Sequence, residues 1–197
     1  FRATFQLIDG ASRLELQNAE MPTREPYITF AVVERPRDAQ AFSSVVGVAE
    51  HQLDRAHGEV MQRAGVRRMR VDALWHTVQS EREGRFDWSR LDGIFDVADE
   101  FGIGILPIVN YTAPFAAQPI PGLDDPKRLA VHPPFEDDWR RFVRALVDRY
   151  KDRVKVWEIW NEANLRYFWP GTPEQYVDLL RQAYEEIRAA DPGARVA

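Results

Sequence analysis

Residues Val156-Trp157-Glu158-Ile159-Trp160-Asn161-Glu162 decide the reading of this chain. A short apolar and aromatic run closed by polar residues and a loop is the pattern of a β-strand covered on both faces, as in a parallel sheet. Such a strand delivers Asn161 and Glu162 at its C-terminal end, where α/β barrels keep their chemistry. An Asn beside a carboxylic acid suits glycoside cleavage. The acid protonates the leaving oxygen, and the amide binds the sugar 2-hydroxyl, a contact that strengthens in the transition state. A strand capped by incidental polar residues is the competing explanation. The loop that follows, Ala163-Asn164-Leu165-Arg166-Tyr167-Phe168-Trp169, carries three consecutive aromatics. Flat aromatic faces pack on the C–H patches of sugar rings while polar neighbours read the hydroxyls. Phe168 and Trp169 are the expected platforms, and Tyr167 is the one best explained as plain surface.

Trp157-Glu158-Ile159-Trp160-Asn161-Glu162-Ala163-Asn164, then Phe168-Trp169, resembles the fourth strand of clan A, the retaining glycosidases built on (β/α)8 barrels. The pattern is most similar to glycoside hydrolase family 39 and its bacterial endoglycosidase relatives, where W-E-x-W-N-E-P-N precedes F-W. Ala163 stands where the family has Pro, which removes a rigid φ after the acid and leaves both functional side chains in place. The likeness extends over roughly residues 44–197.

This resemblance implies retaining hydrolysis of β-glycosidic bonds in oligo- or polysaccharides by double displacement, with Glu162 as general acid/base and Asn161 on the 2-hydroxyl. Arg70, within Arg68-Met69-Arg70-Val71-Asp72-Ala73-Leu74-Trp75, is similar to the strand-two arginine that hydrogen-bonds the nucleophile and keeps it ionised. An arginine turned outward to the helix layer is the alternative. In the family the nucleophile ends the seventh strand, so no residue here is assigned that role. Two rivals stay open: another clan member, such as a family 5-like endoglucanase or a family 42-like galactosidase, and a non-catalytic carbohydrate-binding protein on a degenerate or incomplete barrel.

The rest of the sequence organises around that strand. Phe5-Gln6-Leu7-Ile8, Leu14-Glu15-Leu16 and Tyr27–Val33 are short strand-like runs separated by turn formers, so residues 1–42 read as a β-rich segment, the end of a β-sandwich accessory domain or a hairpin at the barrel base. Residues 43–197 alternate strand and helix. Val45–Val48, Val66–Val71 and Ile103–Val109 are strands. Leu53, Ala56, Val60, Met61 and Ala64 mark a helix closed by Gly65. Leu91, Ile94, Phe95, Ala98 and Phe101 mark a second, ended by Gly102. Phe135, Trp139, Phe142, Val143, Leu146 and Tyr150 form a third stripe. Thr172-Pro173-Glu174-Gln175 opens a fourth helix with a capping box, and Tyr176, Leu179, Leu180, Ala183, Tyr184 and Ile187 supply its apolar face. Arg195-Val196-Ala197 begins a fifth strand.

Successive βα units imply a parallel sheet with right-handed crossovers. No Gly-rich phosphate loop follows the first strand, which disfavours a nucleotide-binding sheet, and the family likeness selects a TIM barrel. About four βα units are expected here, against the roughly 250 residues that eight need. On that expectation the chain alone is inactive on glycosides and prone to associate through its open strand edges.

Asn110 and Tyr111 close the third strand on the mouth side, and with Trp75 they complete the expected substrate-binding set of Phe168 and Trp169. Asp72 is placed at the mouth, and Phe115 is a further sugar contact. The stretch Thr112–Pro134, with Pro119, Pro121 and Pro133, has no helical period and reads as a shaped rim. Glu158, four residues before Glu162 on one strand, would lie about 13 Å away by strand rise. That is too far for a retaining pair, so it reads as a structural carboxylate paired with an arginine. His51 follows the first strand and reaches toward the mouth.

A net charge of −5 with 45% hydrophobic and 29% charged residues disfavours nucleic-acid and membrane partners and leaves a carbohydrate as the expected one. His51, His57, His76 and His132 make no metal-ligand spacing, so neither metal nor cofactor is expected. There is no cysteine, hence no disulfide. The residues fix neither oligomeric state nor compartment, with a secreted or periplasmic location favoured over a cytoplasmic one.

Overall fold

The computed structural model describes residues 47–197. The expected β-rich segment 1–42, and Val45 and Val46 of the first strand, lie outside the described residues.

Five short strands pair in parallel: β1 (Val48–Ala49), β2 (Arg68–Leu74), β3 (Gly104–Asn110), β4 (Val156–Ile159) and β5 (Arg195–Val196). They are hydrogen-bonded in the order in which they occur along the chain. A doubly wound sheet reverses that order at a switch point, whereas a barrel wall is wound in one direction. The sheet therefore has the winding of a barrel wall, a choice that hydrophobic periodicity alone leaves open. The register Asp72↔Ile108↔Glu158 lines up the upper parts of β2, β3 and β4.

Period-two alternation sorts the side chains. Met69, Val71 and Ala73 of β2, Ile105 and Val109 of β3, and Trp157 and Ile159 of β4 are buried in the main core. The opposite set is Arg70 and Asp72 of β2, Leu106, Ile108 and Asn110 of β3, and Glu158 of β4, so the inner face carries polar side chains on β2 and β4 and at the end of β3.

The helices form where caps and stripes indicate. Helix α1 (Arg55–Arg63) starts at Asp54, whose side chain accepts from the His57 N–H, and ends before Gly65 at φ +75°. Its buried side is Gly58 and Met61. Val60 is 65% exposed and Ala56 and Ala64 face out, while Phe101 packs on the helix at Gly58. A four-residue helix, α2 (Trp75–Val78), follows β2 directly and was not expected. Helix α3 (Ser89–Phe101) buries all five residues of its predicted stripe and stops at Gly102, φ +65°. Two 3-10 turns, Pro114–Ala116 and Pro126–Val131, shape the proline-rich stretch, each with Pro in its first turn. Helix α4 (Glu136–Tyr150) buries its stripe except Phe135, which precedes the helix and is 43% exposed. In α5 (Pro173–Ala190) the capping box of Thr172 and Gln175 is complete, and Tyr184, expected on the buried face, is 51% exposed.

Candidate active site

Strand pairing of β4 stops at Ile159, and the next three residues turn sharply. Trp160 has φ +68° and Glu162 φ +48°, the two non-glycine residues with positive φ among those described. For side chains of this size the left-handed region is costly, about 1–2 kcal/mol each, and such strain persists only where the surroundings over-determine it. The surroundings are visible. The Trp160 indole is 2% exposed, edge-on to Trp169, Tyr111 and Trp139, and donates from Nε1 to the Phe168 carbonyl at 2.9 Å.

The turn has a geometric result. On a continuous strand residues 158 and 161 would point to opposite faces. Here both meet Arg70. Its Nε and Nη2 donate to the two Glu158 oxygens at 2.7 and 2.6 Å, and Nη2 also donates to Asn161 Oδ1 at 3.0 Å. Glu158 and Glu162 were expected on one continuous strand, whereas β4 ends at Ile159 and Glu162 lies in the turn beyond it. The expected pairing of Glu158 with an arginine is what the structure has. Arg70 points to the inner face, not to the helix layer, and hydrogen bonding by Glu158 together with the nearby charges of Asp72 and Glu162 raises its already high pKa. It is a fixed cation.

Asn161 is half-buried. Its amide donates toward the Tyr111 hydroxyl at 3.5 Å, a long contact. Burial pushes the Tyr111 phenol up, opposed by the bond from Asn161 and reinforced by Asp72 and Glu162, so the ring stays protonated at neutral pH. Glu162 itself is exposed beside this group, and its carbonyl accepts from the Leu165 N–H, closing the turn that starts the aromatic loop.

A second polar cluster ends β1, β2 and β3. Asp72 accepts from Asn110 Nδ2 at 2.9 Å and contacts His51 Nδ1 at 2.7 Å. Arg90 of α3 ties it down by donating to the His51 carbonyl at 2.6 Å and the Asp72 carbonyl at 3.1 Å. Nearby His76 is held below its ordinary pKa by burial and by Arg90, with Asp72 opposing. It is neutral at pH 7. Among the described residues no three His, Cys, Asp or Glu side chains are grouped so as to hold a metal ion.

Three of the residues expected to touch substrate are buried. Trp75 is wholly buried, because α2 begins there and turns the ring into the core, stacked on Phe142 at 4.9 Å and bonded to Gln79. Trp169 is 3% exposed, wedged between Trp160 and Tyr176, and donates to the Thr172 carbonyl. Asn110 is fully buried behind Asp72. Phe115 packs edge-on to Trp75. Tyr111 and Phe168 remain partly open, with parallel rings 6.5 Å apart. Sequence reasoning placed Asp72 at the mouth but missed its link to His51 and Asn110. The signal available was that all three follow or end consecutive strands.

No family model matches the chain. A β-xylosidase from Caldicellulosiruptor saccharolyticus is 29% identical over 119 residues, covering 56% of this chain and 24% of that one. The resemblance to glycoside hydrolase family 39 stands. Solved structures similar in fold include a family 39 glycoside hydrolase from Bacteroides cellulosilyticus WH2 (TM-score 0.57, 20% identity, covering 76% of this chain and 30% of that one). A family 39 β-xylosidase from Caulobacter crescentus has TM-score 0.57 and 21% identity, with 77% and 39% covered. The family 39 enzyme from Xanthomonas axonopodis pv. citri has TM-score 0.56 and 23% identity, with 77% and 34% covered. The chain thus spans about a quarter of the β-xylosidase from Caldicellulosiruptor and 30–39% of these solved chains.

Proposed function

We propose that this chain carries the acid/base residue of a retaining β-glycoside hydrolase, and that β-xylosides are the first substrates to test. The observation that supports this most is the turn after β4, which holds Asn161 on the Arg70–Glu158 pair and sets Glu162 free at the rim. In this reading Glu162 protonates the departing oxygen while a second carboxylate, assigned to no residue here, attacks the anomeric carbon. Glu162 then takes a proton from water as the glycosyl–enzyme bond is hydrolysed. Asn161 holds the 2-hydroxyl, with its amide oriented by the bond from Arg70 to its oxygen and the contact of its nitrogen with Tyr111. Arg70 supplies positive charge beneath the reacting ring, and Glu158 balances it so that no lone cation is held in the cleft.

The test is Glu162→Ala in the active protein. Turnover of substrates with poor leaving groups falls by about 10²–10⁴, the size of a general-acid contribution. Aryl glycosides with activated leaving groups lose far less in the first step, and azide restores the second. Equal losses on both substrate types would overturn the assignment.

A further inference from the structure

Tyr167 stands in the loop after Glu162 with 66% of its surface exposed, yet its ring is held on two sides. From the proline-rich loop, Arg128 donates from Nη2 to the Tyr167 carbonyl at 2.5 Å and lays its guanidinium over the ring, 4.6 Å from the centroid. Phe168 meets the ring edge-on at 4.9 Å and an interplanar angle of 89°. Fixing an exposed aromatic and a long arginine costs side-chain entropy, and this contact buries nothing in the core to offset it.

The position of the ring says what it contacts. Tyr167 touches Phe168, Phe168 lies parallel to Tyr111 at 6.5 Å, and the Tyr111 hydroxyl meets Asn161. This is a continuous row of aromatic rings leading from the Asn161–Glu162 turn outward across the rim, with steps on the scale of one sugar ring. The row crosses two loops, and Arg128 is the side chain that ties them together at its outer end.

Resting on the reading of the site as a glycosidase, we propose that Tyr167 is the platform of an outer sugar subsite, positioned by Arg128, so that the site takes a chain of sugars and not a single glycoside. One ring lies at Glu162 against Tyr111 and Phe168, and a later ring of the same chain lies over Tyr167. The chemistry is C–H and apolar contact with a ring face, which tolerates sugar identity more than a hydrogen-bonded subsite does.

Binding of xylotetraose, xylobiose, cellotetraose and cellobiose to the protein, followed by tryptophan fluorescence and calorimetry, needs no turnover and tests the subsite apart from the reaction. In whichever series binds, Tyr167→Ala weakens the tetrasaccharide about 2- to 10-fold more than the disaccharide, the range of one aromatic contact. Arg128→Ala gives part of that length-dependent loss, and Tyr167→Phe restores it. Equal effects on both lengths, or no tetrasaccharide binding by the unaltered protein, overturn the subsite. Tetrasaccharide binding with the predicted length dependence, in a protein whose Glu162→Ala variant loses turnover equally on poor and activated leaving groups, retains the subsite and loses the catalytic reading.

Discussion

Arg70 and Glu158 sit on strands that are not neighbours, and their two-point ion pair spans β3 between them. Only long side chains pointing into the concave face of a curved sheet reach one another across an intervening strand. The side chains are 32% and 23% exposed, so the pair is partly shielded from water and more valuable than a surface contact. Glu158→Gln leaves the guanidinium with a neutral partner. We expect a loss of about 1–3 kcal/mol in urea unfolding, the size of a charged hydrogen bond left poorly matched. A change below a few tenths would show that Arg70 is held by other groups.

Asp92 couples α3 to the end of α4, accepting from Arg149 Nε and Nη2 at 2.9 and 2.5 Å and from the Tyr150 hydroxyl at 2.9 Å. The Arg149 bonds hold its pKa below the ordinary 3.8, against the opposing effect of burial, and Tyr150 helps. A depressed carboxylate contributes stability above its unfolded value and loses it as pH falls through the folded one. Asp92→Asn should therefore cost about 1 kcal/mol at neutral pH, the modest value of a largely exposed pair. The gap from wild type should narrow below pH 3.8 and close as the folded form protonates. A gap that persists at low pH would assign the effect to packing.

Gly58 lies where α1 touches α3, and a Cβ there would stand 2.4 Å from the Phe101 ring. Ala is favoured over Gly in a helix by about 1 kcal/mol, whereas overpacking a filled interface costs about 1–3 kcal/mol. The steric term wins because Phe101 is itself 9% exposed with little room to swing. Gly58→Ala is expected to lower the unfolding midpoint. A rise would mean that Phe101 moves at little cost.

Trp160 sets two effects against each other. Trp160→Gly relieves the left-handed strain, about 1–2 kcal/mol, but removes an indole from the buried aromatic cluster, a change of about 3–5 kcal/mol. Net destabilisation of a few kcal/mol is expected, with a change in the near-ultraviolet circular dichroism of the cluster. A glycine variant as stable as wild type would show that the ring does not determine the turn.

The helix signals were legible because they are local. Gly65, Gly102 and the Thr172–Gln175 box each act within one turn of chain, so spacing alone reveals them. The turn at Trp160–Glu162 was not legible. Nothing in the propensity of tryptophan announces a positive φ, which here is selected by rings from the residue after β3, from α4 and from the following loop. Trp75 was misplaced for a related reason. A residue just past a barrel strand reads as mouth, but α2 begins there without any side-chain cap to signal it. Arg70 and Glu158 were legible as a class, an arginine and a carboxylate inside a wall. Their contact with Asn161 depended on the unforeseen turn.

The unbroken succession of β1 to β5 also bears on how the molecule is made. During synthesis each of β2 to β5, on leaving the ribosome, finds a hydrogen-bonding partner already present, the strand translated just before it. Among the described strands, none from β2 to β5 waits for a later one to pair with its predecessor, so each of these loop closures spans one βα unit. The wall can thus grow from its N-terminal edge at the pace of translation, and the Asn161–Glu162 turn is docked only after Arg70 has been in place for some ninety residues of synthesis.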